Sequence, residues 1–134
     1  CFVLLAPALS PTYDLSKALS HVTGHAYCFN SINDDLVLGT GTTMFGTIDG
    51  VRGDAAGRVG FQRPAEGDPA QYAKLILKPY EQDWVRYGHI GGHIGPMGST
   101  FVEAIVAPLM LDRQASQAVL KKTVDATPDV LWPK

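Results

Sequence analysis

The chain has 134 residues, of which 46% are hydrophobic and 18% charged, and its net charge is −2. This length predicts a single domain over residues 1–134, and the scattered lysines and arginines argue against nucleic acid as a partner, because phosphate binding needs clustered positive charge. The apolar runs are shorter than the ~20 residues of a bilayer-spanning helix, so no membrane segment is expected.

The charged fraction is lower than the roughly 25% that is usual for soluble domains. This shortfall predicts a partly covered surface, most simply in a homo-oligomer. Two cysteines are too few for a secreted disulfide scaffold and favour reduced thiols in the cytoplasm. Since the sequence begins with Cys1 and not Met, N-terminal processing stays open, as does a disulfide between Cys1 and Cys28.

Taken in chain order, the first elements are a strand and a helix. The apolar residues 2–6 indicate a buried strand. The cap and proline of residues 10–12, followed by apolar residues at helical spacing, predict a helix that ends near Gly24. Residues 26–29 and 36–38 then predict a hairpin.

The polar turn of this hairpin contains Asp34 and Asp35, which we expect to be solvated. Further strands are predicted over residues 39–48, 59–63, 73–78 and 84–87. Residues 101–111 fit either a strand or a helix, and Asp112 can cap a final helix. Short turns join most of the strands, which favours antiparallel pairing. The predicted fold class is α+β: a mainly antiparallel or barrel-like sheet of about six strands, with one helix near each terminus.

All four histidines occur in two copies of the pattern His-aliphatic-x-Gly-His, at residues 21–25 and 89–93. Imidazole is the commonest metal ligand, so zinc or another divalent metal could be bound by His21, His25, His89 and His93. An i,i+4 pair shares one face of a helix, but along a strand it spans about 13 Å, too far for one ion. The alternative is one or two histidines that line a pocket without metal.

The segment 88–98 is rich in glycine. Glycine permits positive φ angles and close approach of a ligand to the backbone, whose N–H groups can hold an anion. The segment thus predicts a substrate-binding loop, or else a connection with demanding backbone angles. The candidate substrate-binding residues are Arg86, Tyr87, Gly91, Gly92 and Ser99.

Part of this loop resembles a known family. His89-Ile90, Ile94-Gly95-Pro96 and Gly98-Ser99 are similar to a segment of formaldehyde-activating enzymes, in which a histidine contributes to the chemistry. The likeness is confined to residues 89–99, and no function is transferred from it.

Two carboxylates are candidates for acid–base work. Glu103 lies in an apolar run, where a carboxylate is costly unless it is paired or its pKa is raised. Asp83 precedes the histidine loop and could orient a histidine. The candidate catalytic residues are His89, His93, Glu103 and Asp83. Cys28 fits a buried strand better than a nucleophilic site.

These residues predict a small-molecule enzyme of the lyase, isomerase or hydrolase type. It would use histidine and carboxylate acid–base chemistry in a pocket beside the glycine-rich loop. The alternatives are a metal-binding protein with a histidine site, and a non-catalytic oligomeric assembly or ligand-binding module.

Overall fold

The computed structural model describes residues 1–34 and 46–111, whose strands form an open, three-stranded, all-parallel sheet. The strands are β1 (Phe2–Leu5), β2 (Ala26–Asn30) and β3 (Leu75–Pro79), and β2 lies in the centre. Ala26 is opposite Phe2 of β1 and Leu75 of β3, so the strands begin and end close to the same two edges of the sheet.

Short helices surround the sheet. The α-helices before β3 are α1 (Ser16–Ser20), α2 (Ala56–Val59) and α3 (Pro69–Tyr72). After β3 come two 3-10 segments, Gln82–Tyr87 and Gly95–Met97. The described chain ends in a helical stretch made of α4 (Ser99–Phe101), a π-helical turn (Val102–Val106) and α5 (Ala107–Leu111). None of the described helices has the length and apolar character needed to cross a membrane.

Both faces of β2 are buried. Ala26 and Cys28 contribute to one apolar cluster, and Tyr27 and Phe29 contribute to another. The first cluster also contains residues of α1, α2 and α3, whereas the second contains Trp84 and residues from 101–109. Helices therefore cover both sides of the sheet, as is usual for parallel sheets, whose central strands are apolar on both faces.

The predicted α+β class with an antiparallel or barrel-like sheet of about six strands is wrong. A parallel pair needs a crossover between its strands; the crossover from β1 to β2 contains α1, and the one from β2 to β3 contains α2 and α3. The predicted strand 59–63 is instead the end of α2 followed by chain without regular secondary structure, and the predicted strand 84–87 lies in a 3-10 helix.

The other predicted elements are either present with different ends or lie outside the described residues. The strands at 2–6 and 73–78 are present as β1 and β3, with shifted ends, and residues 101–111 are helical. The predicted N-terminal helix is shorter than expected, because only Ser16–Ser20 is helical. The predicted strand 36–38, most of the predicted strand 39–48 and the helix from Asp112 lie outside the described residues.

Several loops meet at the carboxyl edge of the sheet, the edge where all three strands end. The Ala6 N–H donates to Phe29 O at 3.0 Å, and the Tyr80 N–H donates to Asn30 O at 2.8 Å. The Ser31 N–H, directly after β2, donates to Gly57 O of α2 at 2.9 Å. In open parallel sheets, ligands bind outside this carboxyl edge.

Candidate active site

A buried aspartate faces a histidine at the carboxyl edge. Asp34 Oδ2 lies 2.9 Å from His93 Nδ1, although the two residues are 59 positions apart in the chain. The side chain of Asp34 is 2% exposed and that of His93 is 24% exposed. The carboxylate can only accept a hydrogen bond, so Nδ1 carries the proton and donates it. In neutral His93, Nε2 then has a free lone pair, which is the arrangement of a histidine base with a carboxylate that orients it.

A tight turn after β2 buries Asp34. The Asp34 N–H donates to Ser31 O at 3.0 Å, and the Asn33 N–H donates to Ser31 Oγ at 3.2 Å. These bonds reverse the chain within four residues of the end of the strand. The carboxylate is thereby returned to the sheet edge and does not project into solvent as predicted for Asp34.

Glycine allows the histidine loop to approach this turn. Gly91 is buried and has a φ of +90°, a conformation that side-chain-bearing residues avoid. A Cβ atom at Gly91 would lie 3.0 Å from Asn33 Nδ2 and 3.3 Å from Ser31 Oγ. Because Gly91 has no side chain, its backbone can pack against the turn that follows β2. Gly91 is two residues before His93.

His89, the other histidine of the loop, is enclosed by aromatic rings. It is 2% exposed and contacts Tyr80, Trp84 and Phe101. Burial lowers the pKa of His89, which favours its neutral form. The Gly91 N–H donates to His89 Nδ1 at 3.2 Å, so the proton of neutral His89 is on Nε2.

The predicted carboxylate partners lie elsewhere. Asp83 is exposed and forms an ion pair with Arg86, its Oδ1 atom lying 3.4 Å from Arg86 Nη2. Glu103 is exposed on the π-helical turn, and within residues 1–34 and 46–111 no hydrogen bond or ion pair joins it to His89 or His93. Within the described residues, the carboxylate that contacts His93 is that of Asp34.

The predicted substrate-binding residues are dispersed. Tyr87 is half-buried against the apolar cluster of Trp84, and Ser99 is exposed at the start of α4. Gly91 and Gly92 are in the loop that carries His93. The glycine pair thus lies beside the Asp34–His93 contact.

The two histidine pairs do not converge. His21 is exposed at the end of α1 and His25 immediately precedes β2, whereas Asp34 and His93 meet beyond the other end of that strand. Five residues of strand span about 17 Å, which is too far for a shared ion. Throughout the described part of the chain, no group of three or more His, Cys, Asp or Glu side chains is arranged to hold a metal.

Both cysteines are free thiols, Cys1 exposed and Cys28 buried in the sheet. Burial raises the pKa of Cys28 to about 12. A thiol with this pKa carries almost no thiolate at neutral pH, and the thiolate is the nucleophilic form. Cys28 is therefore a core residue, as its strand pattern predicted.

A cleft of about 260 Å³ opens at the same edge of the sheet, lined by Asn30, Ile32, Arg58, Val59, Pro79 and Tyr80. It is bounded by residues at the carboxyl ends of β2 and β3 and by α2. Tyr80 connects the cleft to the histidine loop, since its ring centroid lies 5.0 Å from that of His89. The Arg58 guanidinium is paired with Asp54 at 3.2 Å.

No protein-family model matches the chain, and no curated protein or solved structure is significantly similar to it. The site is therefore defined by its geometry. Sequence reasoning missed Asp34, although one signal was present: the aspartate follows a continuous apolar strand, and polar residues at that position of a parallel sheet reach its ligand-binding edge.

Proposed function

We propose that this protein is a hydrolase in which His93 is the general base and Asp34 orients it. The Asp34–His93 hydrogen bond carries the proposal, because a buried carboxylate that fixes the imidazole tautomer is the usual support for a histidine base. Of the three enzyme types that the sequence left open, hydrolysis fits this pair best, since it requires one base that accepts a proton and then returns it.

The arrangement in the sheet supports an acyl-transfer reaction. Asp34 follows β2 and His93 follows β3 in the chain, and they meet beyond the carboxyl edge of a parallel sheet. The α/β-hydrolases place the last two members of their triad in this order, aspartate before histidine. This is an analogy of arrangement, and the expected substrates are esters or amides of small carboxylic acids.

In the proposed reaction, His93 Nε2 accepts the proton of an attacking hydroxyl group. The hydroxyl oxygen forms a bond to the carbonyl carbon, and the carbonyl π electrons move to the oxygen. Collapse of this tetrahedral species breaks the bond to the leaving group, which takes the proton from His93. If the hydroxyl belongs to a side chain, water repeats the sequence and releases the acid.

The cleft between α2 and Tyr80 is the proposed site for the non-reacting part of the substrate. Ile32, Val59 and Pro79 make much of its lining apolar, and Asn30 adds an amide. A mostly apolar cleft with few polar groups is typical of small-molecule sites.

Hydrolysis of short-chain p-nitrophenyl esters tests the proposal. Asp34→Asn keeps the shape of the side chain but changes the favoured tautomer of His93, and we expect kcat to fall by about 10³-fold or more. His93→Ala should have an effect of similar size. Asp83→Asn and His21→Ala are matched controls at exposed positions and should change kcat less than about twofold.

Activity-based labelling distinguishes the nucleophiles. A fluorophosphonate reacts with a serine that His93 activates, and peptide mass spectrometry locates the modified residue; turnover without labelling indicates water. The proposal is wrong if the wild-type protein hydrolyses none of the esters, or if Asp34→Asn and His93→Ala behave like their controls.

A further inference from the structure

Three aromatic rings hold His89 in a fixed orientation. Its imidazole stacks on Trp84 with ring centroids 5.6 Å apart and planes inclined by 23°. Tyr80 and Phe101 approach it edgewise, with centroid distances of 5.0 and 4.8 Å. Packed side chains with this degree of burial keep one rotamer, so the edge of the His89 ring is a fixed feature of the loop.

The glycine-rich loop folds around that edge. The Gly91 N–H donates to His89 Nδ1, and a Cβ atom at Gly95 would overlap the same nitrogen. The backbone therefore touches the ring at two points, and only glycine fits at the second. In the sequence, His93 lies midway between Gly91 and Gly95.

The other side of the loop rests on the turn that carries Asp34. The Cα atom of Gly91 faces Asn33 and Ser31, so the loop is held between the His89 ring and the end of β2. A shift of the loop at either surface would move His93 relative to Asp34. The loop that carries His93, 2.9 Å from the Asp34 side chain, is thus packed against both surfaces.

We propose that His89 is a positioning residue: residues 91–95 close on its ring, and this closure sets His93 opposite Asp34. His89 itself does not touch substrate. The effect of this role on catalysis rests on the proposed hydrolase function. The position of His93 relative to Asp34 is a property of the free protein and can be tested without turnover.

Two glycines provide a matched pair of variants. Gly95→Ala places a Cβ atom against the His89 ring, whereas a Cβ atom at Gly24, which is exposed before the start of β2, meets nothing within 4 Å. We expect Gly95→Ala to change the imidazole ¹⁵N signals of His93 and to lower kcat by up to about 10²-fold, the effect of a displacement near 1 Å at a catalytic group. Gly24→Ala should leave both unchanged.

A double variant shows whether the His89 ring is responsible. In His89→Ala the space occupied by the imidazole is vacated, so adding Gly95→Ala should cost less than it does in the wild type. The combined loss in kcat should fall clearly short of the product of the two single losses, since residues in contact are not additive. If Gly95→Ala alone is too unstable to study, a folded double variant gives the same answer, because the added Cβ atom no longer meets the ring.

The hydrogen bond from the Gly91 N–H to His89 Nδ1 is tested separately. His89→Phe keeps an aromatic ring but removes the acceptor for the buried Gly91 N–H, and we expect a loss of about tenfold in kcat with altered His93 signals. His89→Asn restores an acceptor near Nδ1 and should recover part of both. KM should change little in this series, since the ring does not line the cleft.

The positioning role is wrong if Gly95→Ala gives the same His93 spectrum as the wild type and Gly24→Ala, or if Gly95→Ala lowers kcat as much in the His89→Ala background as in the wild type. A wild-type protein without esterase activity would instead refute the proposed function. In that case a change of the His93 signals in Gly95→Ala but not in Gly24→Ala still supports the positioning role.

Discussion

His89 and His93 are four residues apart, yet their Nδ1 atoms have opposite hydrogen-bonding roles. Nδ1 of His89 accepts from the Gly91 N–H, whereas Nδ1 of His93 donates to the Asp34 carboxylate. One loop therefore holds two imidazoles, one with an unprotonated and one with a protonated Nδ1. The difference follows from what each ring faces, a backbone donor in one case and an acidic side chain in the other.

Opposite tautomers are the first prediction. At pH 7.5, long-range ¹H–¹⁵N spectra should show the Nε2–H tautomer for His89 and a protonated Nδ1 for His93. Asp34→Asn should alter the His93 signals and leave those of His89 in place, while Asp83→Asn should alter neither. The same tautomer for both rings in the wild type would contradict the hydrogen-bond assignment.

The second prediction concerns stability and pH. Burial lowers the pKa of His89 in the folded state, so the unfolded chain binds this proton more readily than the folded one. The contribution to the free energy of unfolding is therefore lost as the pH falls below the ordinary histidine value of about 6.5. The slope from this one group cannot exceed about 1.4 kcal/mol per pH unit.

Urea unfolding between pH 5.5 and 7.5 measures this slope. The rings around His89 are Tyr80, Trp84 and Phe101, and the ammonium of Lys78 lies 5.9 Å from the Trp84 ring centroid. His89→Phe removes the titrating group and should flatten the dependence, whereas His21→Ala, at an exposed position, should not. Equal slopes in the wild type and His89→Phe would show that His89 titrates alike in both states.

The third prediction is a difference between the two thiols. Cys1 is exposed, whereas Cys28 is buried and its pKa is raised to about 12. Ellman's reagent should modify Cys1 rapidly in the native protein and reach Cys28 only after unfolding in denaturant. The Cys1→Ser variant should show no rapid reaction. Rapid modification of Cys28 in that variant would mean that the centre of the sheet opens more readily than its packing implies.

The fourth prediction tests the cleft as a substrate site. Val59→Trp places a large ring in the lining of the cleft. For the p-nitrophenyl esters that the wild type hydrolyses best, KM should rise by about tenfold, which corresponds to roughly 1.4 kcal/mol of binding free energy. The value of kcat should change less, since the variant alters binding away from the reacting atoms. Val51→Trp is the control, because Val51 is also exposed but does not line the cleft. An unchanged KM in Val59→Trp would place the substrate elsewhere.

The pattern of apolar residues predicted some elements well and the topology poorly. Residues 2–6 and 73–78 were correctly expected to be strands, because each is a short, mainly apolar run bounded by turn or loop residues. Their direction could not be derived from short turns, because the segments between them contain helices too brief to give a clear helical period. The continuous apolar run 26–29 was the available sign of a parallel sheet.

The candidate site was predicted in part. The glycine-rich loop with His89 and His93 was found from composition alone, because closely spaced glycines require an unusual backbone path and histidine supplies acid–base chemistry. Asp34 was placed in a solvated turn, since its neighbours in the sequence are polar. Its burial depends on a loop that comes from 59 positions away. The predicted homo-oligomer stays a prediction.

The amino-acid sequence by itself indicated the strands near residues 2–6, 26–29 and 73–78, the loop that can bend tightly and the residue types that can move a proton. The tertiary structure decided the parallel order of the strands and the partner of each histidine. The reason is physical: local pattern sets the conformation that a segment prefers, whereas hydrogen bonds such as that between Asp34 and His93 form only after distant segments pack together.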